Sequence, residues 1–217
     1  MHAFRKTEYV TIFLLILLAA IPTIAGGVRI FQLFMGIDVI DENRRFFEMP
    51  VPVIAHIVGA TCFVLLGAFQ FSANLRGRFP KWHRTAGRIA AAGGMVAALT
   101  GIRMTLTFDI GDRPLLYVTR LFFGLGMALS IGLGVQAILK RKIATHRRWM
   151  IRGYAIGMGA GTQVLTLGFG YLALGAPDEL MTAYLMGAGW LINLAFAEWI
   201  IRGRPGWPTP KTHMVRG

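Results

Sequence analysis

Two histidines, His83 and His146, each stand where a basic stretch meets a long apolar segment, and their imidazoles could share a ligand. The first stretch runs over residues 76–88 and the second over residues 140–152, and each also contains a tryptophan. Imidazoles from two facing helices of a bundle can ligate a haem iron from both sides. The matching positions of the two histidines therefore predict a b-type haem held between them, with both as iron ligands.

The same two stretches have an explanation that needs no ligand. Tryptophan and basic side chains are typical of the membrane–water interface, and basic clusters fix the side on which a span ends. The arginines would pair with haem propionates in the first case and with anionic lipid headgroups in the second. Both explanations stay open. The candidate cofactor-binding residues are His83, His146, His56, Gln70, Arg84, Arg88, Arg147, Arg148 and Trp149.

His56 and Gln70 belong to the apolar run at 51–72 and share one face of a predicted helix with Gly59, Phe63 and Gly67. Polar groups are costly in hydrocarbon, so this face should look into a bundle. His56 lies toward the opposite end from the other two histidines and has no histidine at its own depth. We expect His56 and Gln70 to line a polar route or a quinone pocket.

The composition is that of a membrane protein. The 217 residues are 55% hydrophobic and 15% charged, with a mean hydropathy of +0.56, whereas soluble domains carry about 25% charged residues. The net charge of +13 could indicate nucleic acid, but the charges lie between apolar runs. Anionic lipid headgroups are therefore the expected partner, and no nucleic acid is. The single cysteine, Cys62, excludes a disulfide framework and a cysteine–zinc cluster.

Six apolar runs are long enough to cross a hydrocarbon core of about 30 Å. They cover roughly residues 9–34, 51–72, 86–107, 115–138, 152–174 and 182–201. They lack the alternation of barrel strands, so they should be helices. The sequence thus predicts an all-α polytopic bundle that forms one domain over residues 1–217. We expect an interfacial helix or a lid at 35–50 and an irregular cytoplasmic tail at 203–217.

The distribution of charge predicts the orientation of the bundle. Most of the 23 basic residues lie on the side that holds the amino terminus, whereas among the acids only Glu8 and Glu198 do. Positive residues are retained on the cytoplasmic side. Both termini should therefore lie in the cytoplasm, and the membrane should be the bacterial inner membrane. Glu198 stands near the end of the last span, where Arg152 is its expected partner.

A weak internal repeat is a further hypothesis. The second and third spans are joined by a segment that contains Gln70 and His83, and the fourth and fifth by one that contains Gln136 and His146. Parallel repeats of this kind are related by an axis along the membrane normal. Such an axis would set His83 and His146 at equal depth.

Three segments carry a resemblance to a known family. They are His56-Ile-Val-Gly-Ala with Leu66-Gly-Ala-Phe-Gln-Phe, the run from Leu75 to Arg88, and His146-Arg-Arg-Trp-Met-Ile-Arg152. The chain resembles the predicted bacterial membrane proteins of domain-of-unknown-function family 2306 over roughly residues 50–175. The resemblance implies a multi-span membrane protein with His56, His83 and His146 as marked positions, and it implies no established activity.

Three functions remain open at this point. The first is electron transfer through a haem or a quinone, together with a redox partner. The second is the binding or transport of a small molecule or lipid without redox chemistry, and the third is a role as accessory subunit of a membrane complex. No serine–histidine–acid constellation points to a hydrolase.

Overall fold

The computed structural model describes residues 6–41, 43–108 and 113–203, and the regular structure of these ranges is helical throughout. This confirms the predicted all-α class. The helices are α1 (Lys6–Met35), α2 (Arg44–Glu48), α3 (Pro50–Gln70), α4 (Ala73–Arg78), α5 (Pro80–Thr107), α6 (Pro114–Leu139), α7 (Ile143–Gly157), α8 (Gly159–Leu174) and α9 (Glu179–Arg202). The short helix α2 lies in the segment predicted as an interfacial helix or lid. Of the predicted tail, residues 204–217 lie outside the described ranges.

Five helices, namely α1, α3, α5, α6 and α9, are long and apolar enough to cross a membrane. Helices α7 and α8 are shorter and follow one another through Met158. They contact each other little beyond this junction. Both pack on α9, but α7 also packs on α6 and α8 on α1, so they continue as one interrupted segment. That segment takes the fifth place in the predicted order of about six spans.

Two helices begin before the membrane spans predicted within them. The helix that contains the span predicted from about 86 begins at Pro80, and the helix that contains the start of the span predicted from about 152 begins at Ile143. Proline is favoured in the first turn because the N–H that it lacks would have no partner there. Helix α5 therefore includes basic residues that precede the apolar run, and α7 includes such residues without a proline at its start. As a consequence, His83 and His146 are each the fourth residue of a helix.

Four segments form the central bundle as two antiparallel hairpins, α3 with α5 and α6 with α7. Helix α5 also packs on α6, and α3 on α7, while α1, α8 and α9 flank the bundle. Phe63 and Ile131 are both only 1% exposed at its centre. The hydroxyl of Tyr154 donates to the Val64 carbonyl at 2.8 Å and so joins the two hairpins.

Glycines on α5 set how closely the first hairpin packs. Three large residues of α3 lie over three glycines of α5, at intervals of seven residues: His56 over Gly101, Phe63 over Gly94 and Gln70 over Gly87. A Cβ atom at Gly94 would lie 2.6 Å from the Phe63 ring. Small residues allow this approach in lipid, where no hydrophobic force joins the helices. The predicted inward face of α3 is confirmed, because Gly59, Phe63 and Gly67 are buried.

Candidate ligand site at the paired helix starts

The first turns of α5 and α7 place His83 and His146 in equivalent backbone positions. The backbone N–H of His83 donates to the Phe79 carbonyl at 3.0 Å, and that of His146 donates to the Lys142 carbonyl at 2.9 Å. Each acceptor is the residue immediately before its helix. The two imidazoles are also close enough for their charges to interact. The structure thus brings together the pair that the sequence singled out.

The ring of His146 is oriented by its own hairpin. Its Nδ1 lies 2.9 Å from the backbone carbonyl of Gly134 on α6. A carbonyl only accepts, so Nδ1 carries the proton and the lone pair of the neutral ring lies on Nε2. A Cβ atom at Gly134 would lie 2.8 Å from the Met150 sulfur, so alanine there would force the flexible Met150 side chain to shift.

His83 lacks such an anchor. Its side chain is half-buried, and its Nδ1 is buried without a hydrogen-bond partner in the described part of the chain. Arg76 and Arg84 are the cations whose charges reach this ring. A buried polar atom without a partner is costly. His83 therefore lacks the kind of hydrogen bond that orients the ring of His146.

The other predicted basic residues divide by exposure. Arg84 and Arg88 are exposed, whereas Arg147, Arg148 and Trp149 are partly buried. The Arg152 guanidinium lies 4.8 Å from the Trp149 ring centroid. It also donates to both carboxylate oxygens of Glu198, at 2.5 and 3.1 Å. This confirms the expected pairing and joins the third turn of α7 to α9.

Gln70 borders the histidine pair, whereas His56 does not. The Gln70 amide packs on Gly87, which lies about one turn beyond His83 on α5. His56 is fourteen residues earlier on α3, or about 21 Å along the helix. Its Nδ1 lies 2.8 Å from the Ala97 carbonyl. Phe63 interrupts the face between them, so His56 and Gln70 border separate environments.

A family model described as a predicted membrane protein, DUF2306, matches residues 53–201. The chain belongs to this family. It is therefore a multi-pass membrane protein, in agreement with its five long apolar helices. Comparison with curated proteins and with solved structures gives no match.

The DUF2306 match spans two residues of the site that sequence reasoning missed, Arg76 and Gly134. Arg76 reaches His83 because the connection between α3 and α5 folds into helix α4. The sequence could have predicted the start of α4 from Ser72, a residue type that commonly caps helices, since its hydroxyl accepts from the Leu75 N–H at 3.0 Å. Gly134 contributes through its backbone carbonyl, for which no side-chain pattern exists.

Proposed function

We propose that this protein binds a b-type haem between His83 and His146 and transfers electrons within the membrane. One observation carries the proposal. Two imidazoles at the same helical position, on different hairpins, lie within reach of each other's charge. Bis-imidazole haem sites in bundles draw their two ligands from different helices.

The ring nitrogens of His146 and His83 are suited to binding a haem iron. Metal-ligating histidines usually donate their second ring N–H to a carbonyl or carboxylate, which fixes the ring and raises its basicity. His146 makes this bond to Gly134. The buried Nδ1 of His83 has no hydrogen-bond partner among the described residues, so no such bond holds its ring in another orientation. A bound haem would supply one-electron redox chemistry at this position.

The cations around the pair support a ligand that carries carboxylates. Arg76 and Arg84 act electrostatically on His83, and arginine binds carboxylates through two parallel N–H donors. Arg88, Arg147 and Arg148 belong to the same basic stretches. We propose that these arginines bind the propionates while Trp149 borders the macrocycle. A quinone beside Gln70, or a redox partner protein, would exchange electrons with the site.

Absorption spectroscopy tests the haem. The protein would be purified in detergent from cells grown with excess haem precursor, and haem would be quantified per chain after extraction. We expect a Soret band that is lost in both His83→Ala and His146→Ala. His56→Ala is the matched control, because His56 also bonds a carbonyl through Nδ1 but lies at the other end of α3. A colourless preparation that stays colourless after incubation with haem, yet is folded and monodisperse, would exclude the proposal.

A second candidate is the binding of an anionic lipid or small molecule without redox chemistry. It is favoured by the number of arginines on the two basic stretches, which exceeds what two propionates require. In this case the wild type would be colourless, and native mass spectrometry would show retained phosphatidylglycerol. Arg84→Gln combined with Arg148→Gln would reduce that retention, whereas His146→Ala would not.

We also propose that the histidine-bearing end faces the cytoplasm of a bacterium. The excess of basic residues on this side supports the orientation. A reporter that is active only in the cytoplasm should therefore be active when it is fused after Gly217. Activity of a periplasm-dependent reporter at the same position would reverse the assignment.

A further inference from the structure

The connection between α6 and α7, residues 139–143, holds an arginine in a backbone conformation that favours glycine. Arg141 has a φ of 57°. Its N–H donates to the Ile138 carbonyl, and the Lys142 N–H donates to the Ala137 carbonyl, both at 2.9 Å. These two bonds form the Schellman ending of a helix, where glycine is usual because a Cβ atom makes the left-handed conformation costly. A charged residue kept in this conformation suggests that its side chain has a function.

The cations of this connection have no acidic partner within the chain. Residues 140–142 are all basic and exposed, and none forms an ion pair or a side-chain hydrogen bond with a residue that the structure describes. Only two of the ten acids belong to this end, Glu8 and Glu198, and both already accept hydrogen bonds. The segments 1–5 and 204–217 contain no acidic side chain. A fixed counter-charge therefore has to come from another molecule.

The connection projects beyond the lipid headgroups. Gly134 and His146 are level in the hairpin, because the carbonyl of one accepts from the ring of the other. Arg147 and Arg148 place the hydrocarbon boundary near this level, since charged groups are costly further in. Lys140 is six residues beyond Gly134, or about 9 Å, whereas the interfacial layer is about 5–8 Å thick on each side of the core. Residues 139–143 are therefore in water.

Two large apolar side chains flank the cations in this aqueous position. Leu139 is 79% exposed and Ile143 is 63% exposed. Lipid tails would cover such residues within the hydrocarbon, but these two lie beyond the headgroups. A small apolar centre surrounded by polar side chains is the usual composition of a protein–protein interface. The exposed leucine and isoleucine thus favour a protein over a lipid as the molecule that brings the counter-charge.

We propose that residues 139–143 are the docking surface for a water-soluble protein that presents carboxylates around an apolar patch. The three cations complement the carboxylates and steer the encounter, while Leu139 and Ile143 contact the apolar patch. Ile143 precedes His146 by about one helical turn, so a docked partner would lie beside the histidine pair. The inference does not depend on a bound haem, and the protein without cofactor serves for its test.

Cysteine labelling tests whether this segment is in water. Leu139→Cys and Ile143→Cys would each be made in a Cys62→Ala background, because Cys62 is the one native cysteine, and placed in phosphatidylglycerol nanodiscs. Leu129→Cys is the matched control, since Leu129 is also 63% exposed on α6 but lies ten residues before Leu139. A charged maleimide should label the two segment variants at least about tenfold faster, because hydrocarbon excludes charge. Equally slow labelling would place the segment in lipid and overturn the proposal.

Binding of an acidic peptide tests the docking itself. The probe is a synthetic helical peptide with glutamates on both sides of a row of leucines, and fluorescence anisotropy measures its affinity for the protein in phosphatidylcholine nanodiscs. We expect Lys140→Glu combined with Lys142→Glu to weaken binding by roughly tenfold or more. Leu139→Ser combined with Ile143→Ser should weaken it by about threefold, because the charges still attract the peptide.

Two further variants separate docking from general charge and from stability. Arg78→Glu combined with Lys81→Glu makes the same charge change on exposed residues near the start of α5 and should weaken binding by less than about threefold. Arg141→Gly should unfold at the temperature of wild type or higher, since glycine adopts a positive φ without cost, yet bind the peptide more weakly. The proposal is overturned if wild type does not bind the peptide, if the Arg78 and Lys81 pair loses as much affinity as the segment pair, or if Arg141→Gly binds like wild type.

Discussion

The two hairpins of the central bundle begin their returning helices alike and then diverge. His83 and His146 occupy the same position of α5 and α7, with the same backbone hydrogen bond to the preceding residue. Helix α5 then runs without a break to Thr107, whereas α7 ends at Gly157 and the chain continues as α8. The equivalence therefore lies in the placement of the histidines, and the rest of each hairpin follows its own packing.

The break between α7 and α8 is accompanied by hydrogen bonds from the flanking helix α9. The interruption at Met158 leaves the Ala155 carbonyl accessible, and the amide of Asn193 donates to it at 3.1 Å. The Thr162 hydroxyl donates to the side-chain oxygen of the same asparagine at 2.8 Å. Backbone polar groups in lipid must find hydrogen-bond partners within the protein, so the break between α7 and α8 depends on Asn193 of α9. The first hairpin has no such requirement, because α5 satisfies its own backbone.

The largest expected effect comes from adding a side chain where α3 and α5 pack most closely in the first hairpin. A Cβ atom at Gly59 would lie 2.6 Å from the Gly93 carbonyl oxygen, a backbone atom that cannot move alone. We expect Gly59→Ala to lower the free energy of unfolding by about 3 kcal/mol. In the second hairpin, Gly153→Ala meets the Ile131 side chain at 3.1 Å and should cost less.

Thermal unfolding in one detergent measures this ranking. Gly132→Ala is the control, because its nearest neighbour would be the Met95 methyl at 4.0 Å. This variant should be as stable as wild type or up to about 1 kcal/mol more stable, since alanine favours the helix over glycine. If Gly153→Ala cost more than Gly59→Ala, the first hairpin would not be the more tightly packed one.

The second effect tests how the interrupted hairpin is held. Glu198→Gln removes the charge that binds Arg152, a pair whose side chains are 30% and 26% exposed. Partial burial leaves an uncompensated guanidinium, so we expect a loss of about 2 kcal/mol, less than for a fully buried pair. Glu179→Gln breaks the more exposed pair with Arg113 and should cost under about 1 kcal/mol. Equal losses, by urea or thermal unfolding, would show that α9 does not hold α7 in place.

The third effect concerns the bond between the hairpins. Tyr154→Phe removes the hydroxyl that donates to the Val64 carbonyl and keeps the ring that packs on Phe63 at 5.6 Å. We expect a loss of about 1 kcal/mol in unfolding measurements, the usual net contribution of one hydrogen bond. Tyr171→Phe, on an exposed ring, should leave stability unchanged. A Tyr154→Phe variant as stable as wild type would mean that packing alone joins the hairpins.

The sequence predicted the spans and the inward face of α3 because both depend on local hydropathy and helical spacing. The pairing of Arg152 with Glu198 followed from depth, since the two charges are rare within their spans. The break at Met158 and the bond from His146 to Gly134 depend on backbone groups of other helices. Such contacts leave no mark on side-chain patterns. The contact between Arg29 and the Phe46 ring was hidden because the two residues lie on separate helices, α1 and α2.

The smallest expected effect distinguishes the two histidines directly. An asparagine amide can take the place of an imidazole Nδ1, whereas a glutamine amide extends to the position of Nε2. At position 146, Asn keeps a donor for the Gly134 carbonyl and Gln loses it. His146→Asn should therefore be more stable than His146→Gln by about 0.5–1 kcal/mol.

At position 83 the same two substitutions should be equally stable, because the Nδ1 of His83 makes no hydrogen bond within the described ranges. Unfolding of the four variants without added cofactor measures both differences under one condition. A preference for Asn at both positions would show that the first hairpin also anchors its ring. A preference at neither would show that the Gly134 bond does not orient His146, and the asymmetry between the two helix starts would then lie only in their neighbours.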